Sequence, residues 1–488
     1  MGHGTARQNA ELLGKTKGRR PSTNAGLRYK NLGLGSGELK QLFLRFCPMA
    51  LMTTEGPEPS GFHPAGRRYR FVVLLFVSLL TYGSYFAYDS VGAIPDRLMK
   101  VWGVDQASIG ALYSLYSLAA IVTLLVGGIL IDRFGTRTSS LAFSVLVTLG
   151  ACIVAWAPNI QMAYLGRFLF GAGSESLITA QNVMLVRWFK GKELALAFGV
   201  TLAISRVGTL FSFNTEALIA TRYGPPAALW AAALFCVASL LANFIYIALD
   251  RRGEQILKLG DGSAGDRIVF ADIRRFSATY WYVTFLCLVF YSAIFPFTAL
   301  STDFFAQKWG LPNASGEGLF FFRAVFFNFV HMFSTAPGTS SIVMFASMIF
   351  APFAGNVVDR VGKRTTLMVL GSLLMIPAYL MLALTTLPPA IPMIILGAAF
   401  VIVPAALWPS VPLIVEKNRV GTAYGLLTMI QNMGLMVFPW LNGRLRVATQ
   451  SYTASMLMFA TLGVIGLGLA LALRRADRKE GGLLESRV

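Results

Sequence analysis

The chain has 488 residues, of which 55% are hydrophobic and 13% charged, about half the charged share (~25%) of an ordinary soluble protein. That excludes a soluble globular domain and implies a chain that crosses a bilayer many times. The formal net charge is +19, but the basic residues gather in tails and short loops. They form no stripe on a soluble fold, so the pattern is the positive-inside signature and not a nucleic-acid surface.

Residues 1–68 are rich in Gly, Ser, Pro, Lys and Arg and contain no apolar run long enough to span. They read as a disordered cytosolic tail, because no charged segment leads into an apolar stretch with a cleavage site. The short run 41–52, interrupted by Pro48, reads as part of that tail rather than as an interfacial helix. Arg67, Arg68 and Arg70 mark the cytosolic edge of the first span. Requiring about twenty apolar residues per crossing predicts spans at 71–95, 107–131, 139–157, 161–187, 194–220 and 226–249. A polar stretch follows, and the second half repeats the count at 279–302, 338–358, 365–384, 390–414, 421–443 and 452–473. The expected fold is therefore all-α: twelve transmembrane helices in two pseudo-symmetric six-helix bundles. The first bundle is 69–250, the cytosolic linker 251–277, the second bundle 278–474 and the cytosolic tail 475–488. Cys47, Cys152, Cys236 and Cys287 are scattered, which argues against a disulfide framework or a metal site.

One segment resists this count. Residues 318–335 are apolar enough to suggest a thirteenth crossing, yet Arg323, Asn328 and His331 interrupt them. An extra crossing would also put equivalent loops of the two halves on opposite faces. The segment therefore reads as a luminal or interfacial excursion within an insertion at 316–337. His331 reads as an ordinary interfacial histidine rather than a proton relay, since no second titratable group lies near it. The sequon Asn313-Ala314-Ser315 just before it is a glycosylation candidate on the luminal side.

The two halves share a ten-residue pattern. Gly128, Asp132, Arg133, Gly135 and Arg137 occur in one copy, and Gly355, Asp359, Arg360, Gly362 and Arg364 in the other, each between the second and third spans of its half. A glycine permitting close helix contact, an acid at a helix end and a basic loop predict a cytosolic latch, in which charges pair with helix termini. The duplication is the mark of a transporter built from repeats. No phosphate-binding loop suggests ATP as the energy source, and no cofactor site or enzyme motif is apparent.

These paired turns, with Arg167, Gly171 and Gly173 in the fourth span, resemble the major facilitator superfamily. Within it, the stretches 83–89, 166–182, 188–194, 204–208, 406–411 and 421–435 resemble the lysosomal dipeptide transporter family, major facilitator superfamily domain-containing protein one. The resemblance covers all twelve spans and fails in the N-terminal tail and at 318–335. It implies a dipeptide uniporter of the lysosome or a related endomembrane, working by alternating access, with a glycosylated accessory membrane protein on its luminal face. The lysosomal assignment rests on that resemblance alone: neither Leu12-Leu13 nor Leu483-Leu484 has the acidic spacing of a dileucine sorting signal.

The residues support a zwitterionic substrate independently. A charge at a helix centre costs about 2.5–3.5 kcal/mol on insertion scales, so those present face a cavity and have a task. Glu175 lies thirteen residues before Trp188 and Arg206 fourteen after Lys192, which puts both about 20 Å from the same loop. A carboxylate for the amino terminus and a guanidinium for the carboxylate would suit a dipeptide, and in the resembling family the matching Glu and Arg contact the peptide's two ends. A plain salt bridge between the two is the structural alternative. Tyr85, Tyr88 and Tyr113, with Trp408, Gln431 and Asn432 from the second half, are the further candidates to line the site. Arg167 reads as structural or gating, and Asp89 as a polar group near a helix end. Competing functions are a facilitator of another organic anion or of a sugar, or a non-transporting receptor or sorting subunit with the same fold.

Overall fold

The computed structural model describes residues 63–189, 193–257, 270–314, 320–416 and 419–486, all within the compact unit Pro59–Val488. Most of the expected tail, including the run 41–52, lies outside the described residues. The first half consists of α1 (Arg67–Ala93), the short α2 (Pro95–Trp102), α3 (Gln106–Trp156), α4 (Ile160–Phe189), α5 (Leu194–Tyr223) and α6 (Pro225–Leu257). The second consists of α7 (Ala278–Trp309), α8 (Phe321–Val330), α9 (Ala336–Val361), α10 (Arg364–Leu384), α11 (Ala390–Leu407), α12 (Val411–Ile414), α13 (Val420–Thr449) and α14 (Thr453–Lys479).

The second and third expected spans are two limbs of α3, which breaks at Gly135 (φ 77°). In the second half Gly362 caps α9 with φ 69°. A side chain would be strained at either angle. Both glycines of the repeated pattern are thus explained by backbone conformation, since an added Cβ at Gly135 would meet no neighbour.

Among the described residues nine helices are long and apolar enough to cross a membrane. Three more, α4, α9 and α13, have comparable length. In α4 and α13 the apolar run is diluted by Glu175 and by Gln431 and Asn432. A helix that turns one face to a cavity need not be apolar all round. Counting α3 as two limbs, these helices form the twelve-helix, two-bundle architecture.

Three details differ from the sequence reading. The helix at the end of the first half continues to Leu257, so the first residues of the expected linker are helical; Asp250 and Glu254, one turn apart, share a face and an ion-pair network. The tenth span bends at Trp408–Ser410, a 3₁₀ turn between α11 and α12. Pro404, Pro409 and Pro412 remove successive backbone donors there. The doubtful segment forms α8, ten residues long. At 1.5 Å per residue it covers about 15 Å, half of a crossing.

Candidate functional site

A cavity of about 1440 Å³ is lined by residues of both halves. It runs from Tyr88 and Asp89, near the far end of α1, to Arg187 and Val420 at the ends of α4 and α13 beside the latch turns. On the opposite face the halves meet. A Cβ at Gly110 would strike the Pro439 carbonyl and one at Gly443 the Gln106 carbonyl, so glycine permits that close approach. Side-chain bonds also join the halves on this side: Gln106 Nε2 donates to Asp303 Oδ2 at 3.4 Å, and Asn313 Nδ2 to Asp96 Oδ2 at 3.0 Å. Asp303 also accepts from Gln307 (2.8 Å) and Tyr452 (2.5 Å). The cavity is open toward the latch face and shut at the other.

Glu175 and Arg206 both line this cavity. Glu175 Oε1 accepts from the Tyr116 hydroxyl at 2.9 Å. Arg206 Nη1 donates to Met344 Sδ at 3.4 Å, and its guanidinium lies 4.7 Å from the centre of the Phe400 ring. No ion pair joins the two among the described residues, so the salt-bridge alternative is not what this conformation contains. Each charge rests on an uncharged partner of modest strength, and both remain available to a ligand.

The structure brings Tyr85, Tyr88, Trp408 and Gln431 to the cavity wall. Trp408 Nε1 donates to the Tyr291 hydroxyl (3.0 Å), and its ring stacks on Tyr424 with centroids 5.9 Å apart. Two expected lining residues are not there. Tyr113 is buried behind Tyr88, with ring centroids 5.0 Å apart, and carries the Arg167 guanidinium 5.2 Å from its ring centre; Tyr116, one helical turn on, takes the cavity position. Asn432 is 1% exposed and donates to the Thr428 carbonyl (3.1 Å) inside its own helix, because one residue's rotation from Gln431 turns it away. Asp89 lies near the end of α1, as read, and is a buried residue of the cavity wall. Sequence reasoning also missed Tyr116, Tyr291, Phe295 and Tyr424, whose only signal is an aromatic side chain on a span, which packing explains equally well.

Arg167 is buried, donates to the Tyr88 carbonyl at 2.9 Å and lies over the Tyr88, Tyr113 and Phe170 rings. It ties α4 to α1 behind the cavity. At the first latch turn, Arg137 Nε bonds Asp250 at 2.6 Å and also pairs with Glu254. Arg187 reaches the same two carboxylates at 3.0 and 3.3 Å, and Trp188 Nε1 donates to Asp250 at 2.7 Å. Asp132 is half-buried, while Arg133 is exposed beside the Phe134 ring. At the second turn Arg360 is exposed, and the Asp359 side chain lies outside the described residues. There the tail substitutes for a charge cluster: the Arg364 N–H donates to the Leu484 carbonyl (2.9 Å), and Glu485 accepts from the Thr366 N–H (2.9 Å) and the Thr365 hydroxyl. Burial acts to raise the Glu485 carboxyl, but the bonds from Thr365 and Thr366 prevail and hold it below its ordinary range. The close contact expected at the first pattern glycine is absent in the second copy, where a Cβ at Gly355 would meet nothing within 4 Å, while Gly128 in the first copy lines the cavity. The cavity mouth lies beside these turns, so the halves are apart where such contacts would form.

A family model described as Major Facilitator Superfamily matches residues 74–336 and 331–487. The chain is similar to the Lysosomal dipeptide transporter MFSD1 of Danio rerio, 33% identical over 429 residues that cover 85% of this chain and 89% of that protein. Similarity to the protein of the same name from Homo sapiens is 31% over 445 residues, covering 88% and 91%. The solved nucleoside transporter NupG superposes with a TM-score of 0.62 at 14% identity, covering 83% of this chain and 99% of that one. At that identity the likeness speaks for the fold alone.

Proposed function

The chain belongs to the major facilitator superfamily, and from that premise we propose that it carries dipeptides across a lysosomal or related endomembrane. The observation that carries this reading is the separation of Glu175 from Arg206 within one cavity, with no ion pair to either among the described residues. A zwitterion supplies both missing counter-charges at once, whereas an anion or a sugar leaves Glu175 uncompensated. Extensive similarity to two proteins named as lysosomal dipeptide transporters supports the substrate class and the compartment. Transport proceeds by rocking of the two halves, the conformation described being the one open to the cytosol. In keeping with the family resemblance, the protein acts as a uniporter, with a glycosylated accessory membrane protein on its luminal face. A substrate-dependent thermal shift across a dipeptide library tests this: binding raises the transition temperature as the logarithm of ligand concentration. A library that stabilises nothing, while a sugar or a dicarboxylate does, would replace the reading.

The latch turns are assigned to conformational balance rather than to substrate. Replacing Asp132 or Asp359 with Ala should lower flux in reconstituted vesicles and shift the inward/outward ratio, leaving affinity in the competent state largely intact. Loss of intrinsic binding without such a shift would remove the gating role. On the luminal side, glycosidase treatment should increase the mobility of the wild type and not of Asn313→Gln. Unchanged mobility in both would mean that the Asn313 amide serves only its bond to Asp96.

A further inference from the structure

The short helix α8 belongs by chain order to the second half, yet it lies against α5 of the first. Its inner side is made by Ala324 and Asn328, both fully buried. Asn328 Nδ2 donates to the Asn214 carbonyl at 2.7 Å, the Phe329 and Phe211 rings lie 4.9 Å apart, and Ala324 packs with Leu218 and Ala314. The other side is an apolar ridge at helical spacing: Phe322 is 86% exposed, Phe326 69% and Val330 58%. A ridge of this kind does not face water without a partner.

Its neighbours say what covers it. Along α5, Asn214 stands nine residues and Phe211 twelve residues before the terminal Tyr223, or about 14 and 18 Å from that end. Half of a hydrocarbon core is about 15 Å. The inner end of α8 therefore sits at membrane depth. Phe211 is itself partly exposed and is not a cavity residue, so its free side faces lipid, and the α8 ridge continues that surface. Among charged residues the helix carries only Arg323, one turn from its outer end, where a long side chain reaches the headgroups. His331, just beyond the inner end, is occupied by the Phe327 carbonyl (2.9 Å) and ring. A helix satisfies its own backbone, which is what insertion at that depth demands.

We propose that α8 is a re-entrant membrane helix, whose Phe322–Phe326–Val330 ridge lies in the acyl chains of the luminal leaflet while its inner face braces α5 to the second half. The occupant of the ridge is the bilayer itself. The test uses the full-length chain in phosphatidylcholine vesicles, with Cys47, Cys152, Cys236 and Cys287 replaced by Ser and Phe326→Cys carrying an environment-sensitive fluorophore. Nitroxide groups on the lipid acyl chains should quench that label several-fold more than aqueous iodide does, with the order reversed for Tyr223→Cys at the end of α5. Dominance of iodide at position 326 overturns the proposal. So does protection from both quenchers, which would mean that protein covers the ridge. Should the cysteine-free protein not fold, the unaltered chain can be photolabelled with a diazirine lipid and the 320–334 peptide examined by mass spectrometry. Label on Phe322 or Phe326 supports insertion; a peptide free of label, in a chain labelled elsewhere on its lipid face, refutes it.

Discussion

Arg206→Ala should become indifferent to amidation of a dipeptide's carboxylate, and Glu175→Ala to acetylation of its amino terminus, while the wild type discriminates against both modified ligands. Each replacement should also weaken binding of the unmodified peptide by about 2–5 kcal/mol, most of it the cost of leaving one buried ligand charge unpaired. Glu175 is held by the Tyr116 hydroxyl and Arg206 by Met344 and Phe400, so ligand need not break an ion pair to reach either. Had the two been bridged, each single replacement would have stranded the other within the protein and destabilised the empty chain. As they stand, the empty variants should fold and melt close to the wild type. Ligand-induced thermal shifts with free, amidated and acetylated forms of one dipeptide measure all of this. Variants that insert normally yet keep the full wild-type preference at both ends would eliminate the zwitterion clamp.

The parts of this molecule that repeat or that cost energy in a bilayer were readable in advance. Twelve apolar runs and two copies of a turn leave a trace in composition or spacing, as do two charges that the structure brings to one cavity. Gly135 and Gly362 were placed in the right turns for an incomplete reason: their positive φ requires glycine, whereas the close contact expected of the pattern is absent at Gly355. What escaped depends on rotation about a helix axis. On a span that is apolar nearly all round, periodicity does not say which face meets the cavity, so Tyr113 was expected where Tyr116 stands, and Asn432 beside Gln431. The latch partners escaped for another reason. Asp250 and Glu254 look like the start of a polar linker, because helical continuation to Leu257 depends on Arg137 and Arg187 arriving from other helices.

That cluster carries the largest stability effect expected here. Asp250 is completely buried and meets Arg137 from α3 and both Arg187 and Trp188 from α4, so three elements of the first half converge on one carboxylate. Removing one partner of a buried pair costs about 3–5 kcal/mol, because the remaining charge keeps its desolvation penalty without compensation. Asp250→Ala should therefore lower the unfolding midpoint of the purified protein by far more than Glu254→Gln. Glu254 is partly exposed, and exposed pairs contribute about 1 kcal/mol or less. Asp250→Asn should fall between them, keeping an acceptor for the Trp188 N–H while losing the charge. Every residue of the cluster lies in the first half, so its loss should act chiefly by loosening that bundle. Chemical denaturation of the three variants, read alongside cysteine accessibility at the cavity mouth, separates these effects. Equal midpoints for Asp250→Ala and Glu254→Gln would show that the buried carboxylate does not hold the bundle. A normal midpoint with an altered inward/outward ratio would instead make the cluster part of the gate.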